Sequence, residues 1–293
     1  MQPVPSPYLV PFDGSFRLAH AETGPPADRP KRKLLKARLR DLNEVIAERQ
    51  RVLYADNRHS VLLVFQAMDA AGKDGTIRKV LSGVNPAGCQ VFSFKQPSSE
   101  ELDHDFLWRV ARRLPERGRI GVFNRSHYEE VLVVRVHPEY LGSQNLPVED
   151  PGSGAFWNRR LESIESWERH LAETGTVVLK FFLNVSREEQ RQRFLARLDE
   201  PEKNWKFSVG DVKERGHWDA YMAAYEAALA ATSRPWAPWF AIPADDKDFM
   251  RVTVAGIVAS TLAELPLAYP EVQEKDRARF AEMRGLLGGE APA

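Results

Sequence analysis

Two short runs carry residue types suited to holding and moving a phosphate. The first, AMDAAGKDG at 67–75, joins small residues to a Gly-Lys pair and places a carboxylate, Asp69, inside the run. The second, NRSHYEE at 124–130, opens on Asn124 and Arg125 and continues to Glu129 and Glu130. A small-residue loop that feeds a helix turns backbone N–H groups toward an anion, and a lysine adds a mobile positive charge. Ala70, Ala71, Gly72, Lys73, Asp74 and Gly75 would form that cradle. An arginine at a strand end is a natural second phosphate ligand, because its planar fork binds two oxygens; local capping or pairing is the alternative for Arg125.

The pattern G-x-x-x-x-G-K-[ST] is met imperfectly. Ala67 stands where the first glycine belongs, and Asp74 where a hydroxyl would hold Mg²⁺. A carboxylate at 69 would repel a phosphate unless a cation lay between them. A metal-bridged phosphate accounts for Asp69 and for the missing hydroxyl together; a plain strand-to-helix turn with Gly72 at its tight point is the alternative. Glu129 and Glu130 could hold the metal through water, contact a nucleotide, or pair with nearby arginines.

These residues need rigid elements behind them. Apolar runs at 61–65, 89–94, 119–123, 176–183 and 239–242 read as strands, the first long enough to be buried on both faces. Helical patterns fall at 31–54, from 73, across 98–113, 156–172, from 186, 211–231 and 248–264. The alternation predicts an α/β fold, a mostly parallel sheet flanked by helices, with ligands beyond the carboxyl ends of the strands. The loops after the first and third strands should then face one crevice. Residues 1–30, rich in Pro, form an extension that drapes over the surface or stays loose. Residues 31–270 form one domain with an inserted helical lid at about 186–217, and 271–293 form a polar tail. Arg187, Arg191, Arg193 and Arg197, followed by Lys203 and Lys206 with Trp205 and Phe207 interleaved, give that lid its basic character.

Bulk composition narrows the classes. Forty-one basic and 41 acidic residues among 293 leave no net charge, so no global field draws nucleic acid or a membrane surface. Any attraction for polyanions must be local, and the basic stretch at 31–40 is one candidate. One cysteine, Cys89, excludes an intrachain disulfide and fits a reducing, cytoplasmic setting. No run approaches membrane-spanning length. The histidines lack metal-ligand spacing, and His127 receives no catalytic role.

AMDAAGKDG at 67–75, NRSHYEE at 124–130, the run 131–135 and PEKNWKF at 201–207 together resemble polyphosphate kinase family 2, over about residues 34–269. The resemblance implies a P-loop kinase-like fold with a helical lid, reversible phosphate transfer between inorganic polyphosphate and a nucleotide with Mg²⁺ or Mn²⁺, and a dimer or tetramer. It implies that Asp69 serves the metal and that Lys73 and Arg125 bind the transferred phosphate. It adds Arg135, Arg193 and Lys206 as polyphosphate ligands, with Asn124, Arg125 and Glu129 toward the nucleotide. Many ADP-using members carry Asp where this chain has Asn124, so a second metal carboxylate must come from elsewhere, with Glu130 the candidate. The loop and Asn124 are more similar to the subgroup that accepts both AMP and ADP, with ATP formed from ADP. An ATP-dependent nucleotide or small-molecule kinase, and a non-catalytic nucleotide or polyphosphate binder, are the competing expectations.

Overall fold

The computed structural model describes residues 2–147 and 150–288. The last five residues of the expected tail and two residues of the loop expected at 139–154 lie outside them. Along the chain, α1 (Arg32–Asp56) precedes β1 (Ser60–Gln66), and α2 (Lys73–Val80) follows the Gly-Lys loop. Next come β2 (Cys89–Ser93), two one-turn helices, α3 (Ser99–Leu102) and α4 (Trp108–Ala111), and β3 (Ile120–Asn124). A 3-10 turn, His127–Val131, leads through α5 (Val133–Val136) and a second 3-10 stretch, Pro138–Gln144, to α6 (Gly154–Glu173). Then follow β4 (Thr176–Asn184), α7 (Arg187–Asp199), a 3-10 turn at Pro201–Lys206, α8 (Val209–Glu214) and α9 (Trp218–Thr232). β5 (Trp239–Pro243), α10 (Lys247–Glu264) and two tail helices, α11 (Glu274–Ala278) and α12 (Phe280–Gly288), complete it.

The five strands pair in the order β2-β3-β1-β4-β5, and every pairing is parallel. β1, β3 and β5 are buried at every position, which is why they read as unbroken apolar runs instead of alternating ones. Parallel neighbours need long crossovers, and the intervening helices supply them. α1, α2 and α10 pack together as one layer, while α6 and α9 pack together as the other. Phe65 on β1 lies level with Asn124 on β3, so the loops after both strands leave the sheet side by side. The shared crevice expected from the sequence is present.

Two expectations change, and the alternative left open for the N-terminal extension is decided. The stretch 98–113 is two short helices, because Asp105 caps the Leu107 N–H at 2.9 Å and breaks the run after the Ser98–Glu101 capping box. The helix expected at 211–231 is divided by a 3-10 turn at Arg215–His217. The N-terminal extension is not loose. Val4, Val10 and Phe16 are buried, and Tyr8 and Val10 exchange backbone hydrogen bonds with Ala241 and Trp239 on the outer edge of β5. That antiparallel contact satisfies an edge that would otherwise stay open.

Candidate active site

The Gly-Lys loop is held by two left-handed residues, Ala70 (φ 62°) and Gly72 (φ 107°). Position 67 is not among the positive-φ residues, so alanine suffices where the usual pattern has glycine. At Gly72 a Cβ would stand 3.4 Å from Met250 Cε on α10 as well as carrying a disfavoured φ. Lys73 opens α2 and folds back, its Nζ donating to Ala67 O at 2.7 Å. Burial and the nearby Arg125 charge press its pKa down to about 8, against the opposing pull of Asp69, Glu129 and Asp74.

Arg125, also left-handed (φ 64°), reaches across from the end of β3. Its Nη2 donates to Asp69 Oδ1 at 2.7 Å and its Nη1 to Glu129 Oε2 at 3.4 Å. Glu129, and after it Asp69, hold the guanidinium charged despite its burial. Asn124 donates to Asp74 Oδ1 at 2.6 Å and to Ser93 Oγ at 3.2 Å, while its Oδ1 is buried without a partner. The structure thus gathers Asp69, Lys73, Asp74, Asn124, Arg125 and Glu129 at the mouths of β1 and β3. Beyond Arg125 opens a cavity of about 290 Å³, walled in part by Lys95, Phe106, Glu129, Val133, Tyr140 and Gln144.

Two expected site residues have buried partners of their own. Glu130 is buried, with Arg160 Nε 3.0 Å from its Oε1 and Gln144 donating to its Oε2 at 2.9 Å. Burial, outweighing Arg160, pushes its carboxyl above the usual range. Its Oε1 makes no hydrogen bond despite the nearby guanidinium, and the residue lines the cavity next to Glu129. Arg193, expected to bind phosphate, is buried and fully subscribed. Its Nε donates to Glu189 at 2.7 Å, its Nη1 to Ala70 O and Ala71 O at 3.1 and 2.7 Å, and its Nη2 to Ala244 O and Asp245 O at 2.6 and 3.1 Å. Five N–H bonds meet five acceptors, so this arginine clamps the loop and leaves no donor for a phosphate.

Lys206 is exposed and stacks 5.0 Å over Trp205, a ring 79 % exposed. Half-buried Arg135 on α5 makes no side-chain hydrogen bond or ion pair among the described residues, and burial lowers its pKa. Arg197, expected to crowd Arg193, instead donates to Asp211 Oδ2 on α8 at 3.0 Å.

Other participants had not been singled out. Gln190 on α7 donates to Asp69 O at 3.0 Å and so fixes the loop at its carboxylate. Asp211 on α8 is raised by burial and then by the Asp69 charge, against the pull of Arg197. At the lid's far end Glu214 accepts from Tyr221 at 2.7 Å and lies 2.9 Å from His137 Nε2, whose ring stacks on Tyr140 of the cavity wall. On the opposite side of the loop, Lys247 and Arg251 open α10. Burial and neighbouring cations (Arg193 and Lys203 for Lys247; Arg78, Arg193 and Arg32 for Arg251) lower both. Arg251 Nη2 lies within 3.3 Å of where a Gly75 Cβ would stand.

A five-stranded parallel sheet in this order, with a Gly-Lys loop after its central strand and an arginine at the neighbouring strand end, defines a P-loop kinase-like protein. Residues 29–268 match the family model described as polyphosphate kinase 2, and the chain belongs to that family. It is 58 % identical over 249 residues to an ADP-polyphosphate phosphotransferase of Rhodopseudomonas palustris, covering 85 % of this chain and 86 % of that one. It is 46 % identical over 266 residues to an AMP/ADP-polyphosphate phosphotransferase of Meiothermus ruber, covering 90 % and 95 %. The crystal structure of polyphosphate kinase 2 from Arthrobacter aurescens TC1 superposes with a TM-score of 0.85 at 37 % identity, covering 94 % of each chain.

Proposed function

We propose that the protein transfers the terminal phosphoryl group of inorganic polyphosphate to AMP and to ADP, reversibly, forming ADP and ATP. The observation that carries this is the Arg125–Asp69 contact beside Lys73, at the mouth of a cavity that the same arginine lines. The cavity suits the acceptor nucleotide. Lys247 and Arg251, set among Glu189 and Asp248, are the cations proposed to meet the polyphosphate. An acceptor phosphate oxygen attacks the terminal phosphorus; one P–O bond forms, the bond to the chain breaks, and the shortened polyphosphate leaves with the electron pair. That oxygen is already anionic, so no general base is required, consistent with the absence of a role for histidine or serine. Lys73 and Arg125 would offset the negative charge that gathers around the transferred group. The relatives' names support the donor, and they differ on the acceptor: ADP for the R. palustris protein, AMP and ADP for that of M. ruber.

Among the described residues no group of three or more His, Cys, Asp or Glu side chains is assembled to hold a metal. That fits a Mg²⁺ or Mn²⁺ ion carried in on phosphate oxygens, which needs only one or two protein carboxylates. Asp69 is the carboxylate proposed to meet it, and the ion would neutralise phosphate charge when bound. Incubation with polyphosphate, Mg²⁺ and either AMP or ADP, without ATP, followed by chromatography of the nucleotides, should yield ADP and ATP. Absence of product from both acceptors would refute the donor assignment, and phosphorylation only on adding ATP would make the protein an ATP-dependent kinase.

A further inference from the structure

Behind the NRSHYEE turn lies a charged network that the transfer step does not touch. Lys180 is the single charge in the β4 run TVVLKFFLN, and its side chain has no solvent exposure. Its Nζ donates to Glu168 Oε2 on α6 at 2.5 Å, to Tyr128 OH at 2.9 Å and to Thr232 O at 2.8 Å. Glu168 Oε1 lies 3.0 Å from Tyr128 OH and 3.2 Å from His127 Nε2. Trp239 Nε1 closes the set on Thr232 Oγ1 at 2.9 Å, and Tyr128 OH stands 2.8 Å from the same oxygen. Although burial pushes Glu168 upward, Lys180 and His127 outweigh it and hold its carboxyl below the usual range. Burial pulls the His127 pKa down against the opposing pull of Glu168, and the carboxylate oxygen facing Nε2 calls for a proton on that nitrogen.

A buried ion pair seldom repays its desolvation, and well-packed apolar residues often do as well for stability. Its location suggests what else it does. Every group in the network converges on His127 and Tyr128, the two residues that lie between Arg125-Ser126 and Glu129. Arg125 and Glu129 point the other way, into the crevice, where they bond each other. Ser126 joins the two sides. Its Oγ accepts from Gln66 Nε2 at 3.1 Å and from Tyr128 N at 3.2 Å, and its carbonyl accepts from Glu129 N at 3.1 Å. The turn is thereby nailed from behind while its front carries the phosphate ligand.

We propose that Glu168, Lys180, Tyr128 and His127 form a positioning device that sets the aim of Arg125 for phosphoryl transfer. Their side chains are buried, His127, Glu168 and Lys180 at 0–1 % exposure, and in this proposal they act through the backbone of the turn. The left-handed backbone at Arg125 makes such bracing necessary, since a free arginine leaves that conformation readily. A displacement of the order of 1 Å is enough to cost a reaction one to two powers of ten.

The inference rests on the proposed activity, so wild-type turnover with polyphosphate is the baseline, and its absence would count against that activity and not against the network. The test is the double variant Glu168→Leu with Lys180→Met, which removes both charges and leaves an apolar core. The expected result is a melting temperature close to or above wild type, kcat lower by about tenfold, and KM for polyphosphate within about twofold. Glu168→Asp keeps the carboxylate that accepts from Tyr128, His127 and Lys180 and should retain most of the wild-type kcat. A folded double variant with wild-type kcat, or a fall in kcat that Glu168→Asp shares in full, overturns the proposal. If the double variant does not fold, Tyr128→Phe, which removes one hydroxyl and little volume, is read by the same criteria: lower kcat at unchanged KM supports positioning, and unchanged kcat overturns it.

Discussion

Arg193→Met separates two roles that the sequence alone runs together. Methionine keeps much of the stem and removes all five donors. Four backbone carbonyls, at Ala70, Ala71, Ala244 and Asp245, then lose a charged partner, along with Glu189. The Arg193 side chain is only 7 % exposed, so water replaces little of what is lost. At about 1 kcal/mol for each orphaned carbonyl, the cost is about 4 kcal/mol, within the range for breaking a buried charged contact. For a chain of this size about 2–3 °C per kcal/mol applies, so the melting temperature should fall by roughly 10 °C. Scanning calorimetry of the purified variant measures this directly. Kinetics on polyphosphates of two lengths, run well below the new melting temperature, provide the second axis. Rate should fall with both lengths alike, because the loop itself is loosened. Lys206→Ala should show the converse: no change in melting temperature and a KM that rises more for long chains than for short ones. An Arg193→Met protein with wild-type stability and a length-dependent KM would return this arginine to the phosphate path and refute the clamp.

Two further outcomes follow from the loop. Lys73 in the free protein sits at about 8 instead of 10.5, so the unfolded chain binds the extra proton between those values and stability should rise with pH across that window. A phosphate at Nζ restores the charge; calorimetric binding of polyphosphate near pH 8.5 in two buffers of different ionisation enthalpy should therefore reveal proton uptake, and a buffer-independent heat would contradict it. Asp69→Asn should lower turnover by two or more powers of ten while circular dichroism stays native, and should flatten the dependence on Mg²⁺. Full activity in that variant would remove Asp69 from the metal.

Sheet and crevice were legible because their signals are local. A strand buried on both faces must be apolar throughout, and a Gly-Lys loop after it announces where an anion sits. The partners of arginines were not legible. Helical spacing places Arg193 and Arg197 on neighbouring positions, yet their charges are met by backbone carbonyls of two other loops and by Asp211, contacts that only the folded chain creates. The partner of Glu130 was hidden for the same reason, since Arg160 lies thirty residues away in sequence. The break at 103–105 follows from an Asp that caps the next turn, a competition that a helical periodicity count does not register. Lys180 did leave a mark, a lysine in the middle of an otherwise apolar strand, and such a lysine needs a buried acid.

The clamp at Arg193 also has a kinematic meaning. It rivets α7 to the loop on one side and to the β5–α10 junction on the other, and Gln190 adds a second rivet at Asp69. Helix α7 therefore belongs to the stationary frame, and freedom to swing is confined to the stretch after Asp199. That stretch is itself moored at both ends: Asn204 donates to Arg197 O and Leu198 O, and Arg215 to Arg187 O and Gln190 Oε1. The stretch between is a short flap held at two fixed points, so much of the ordering entropy of that surface was spent when the protein folded.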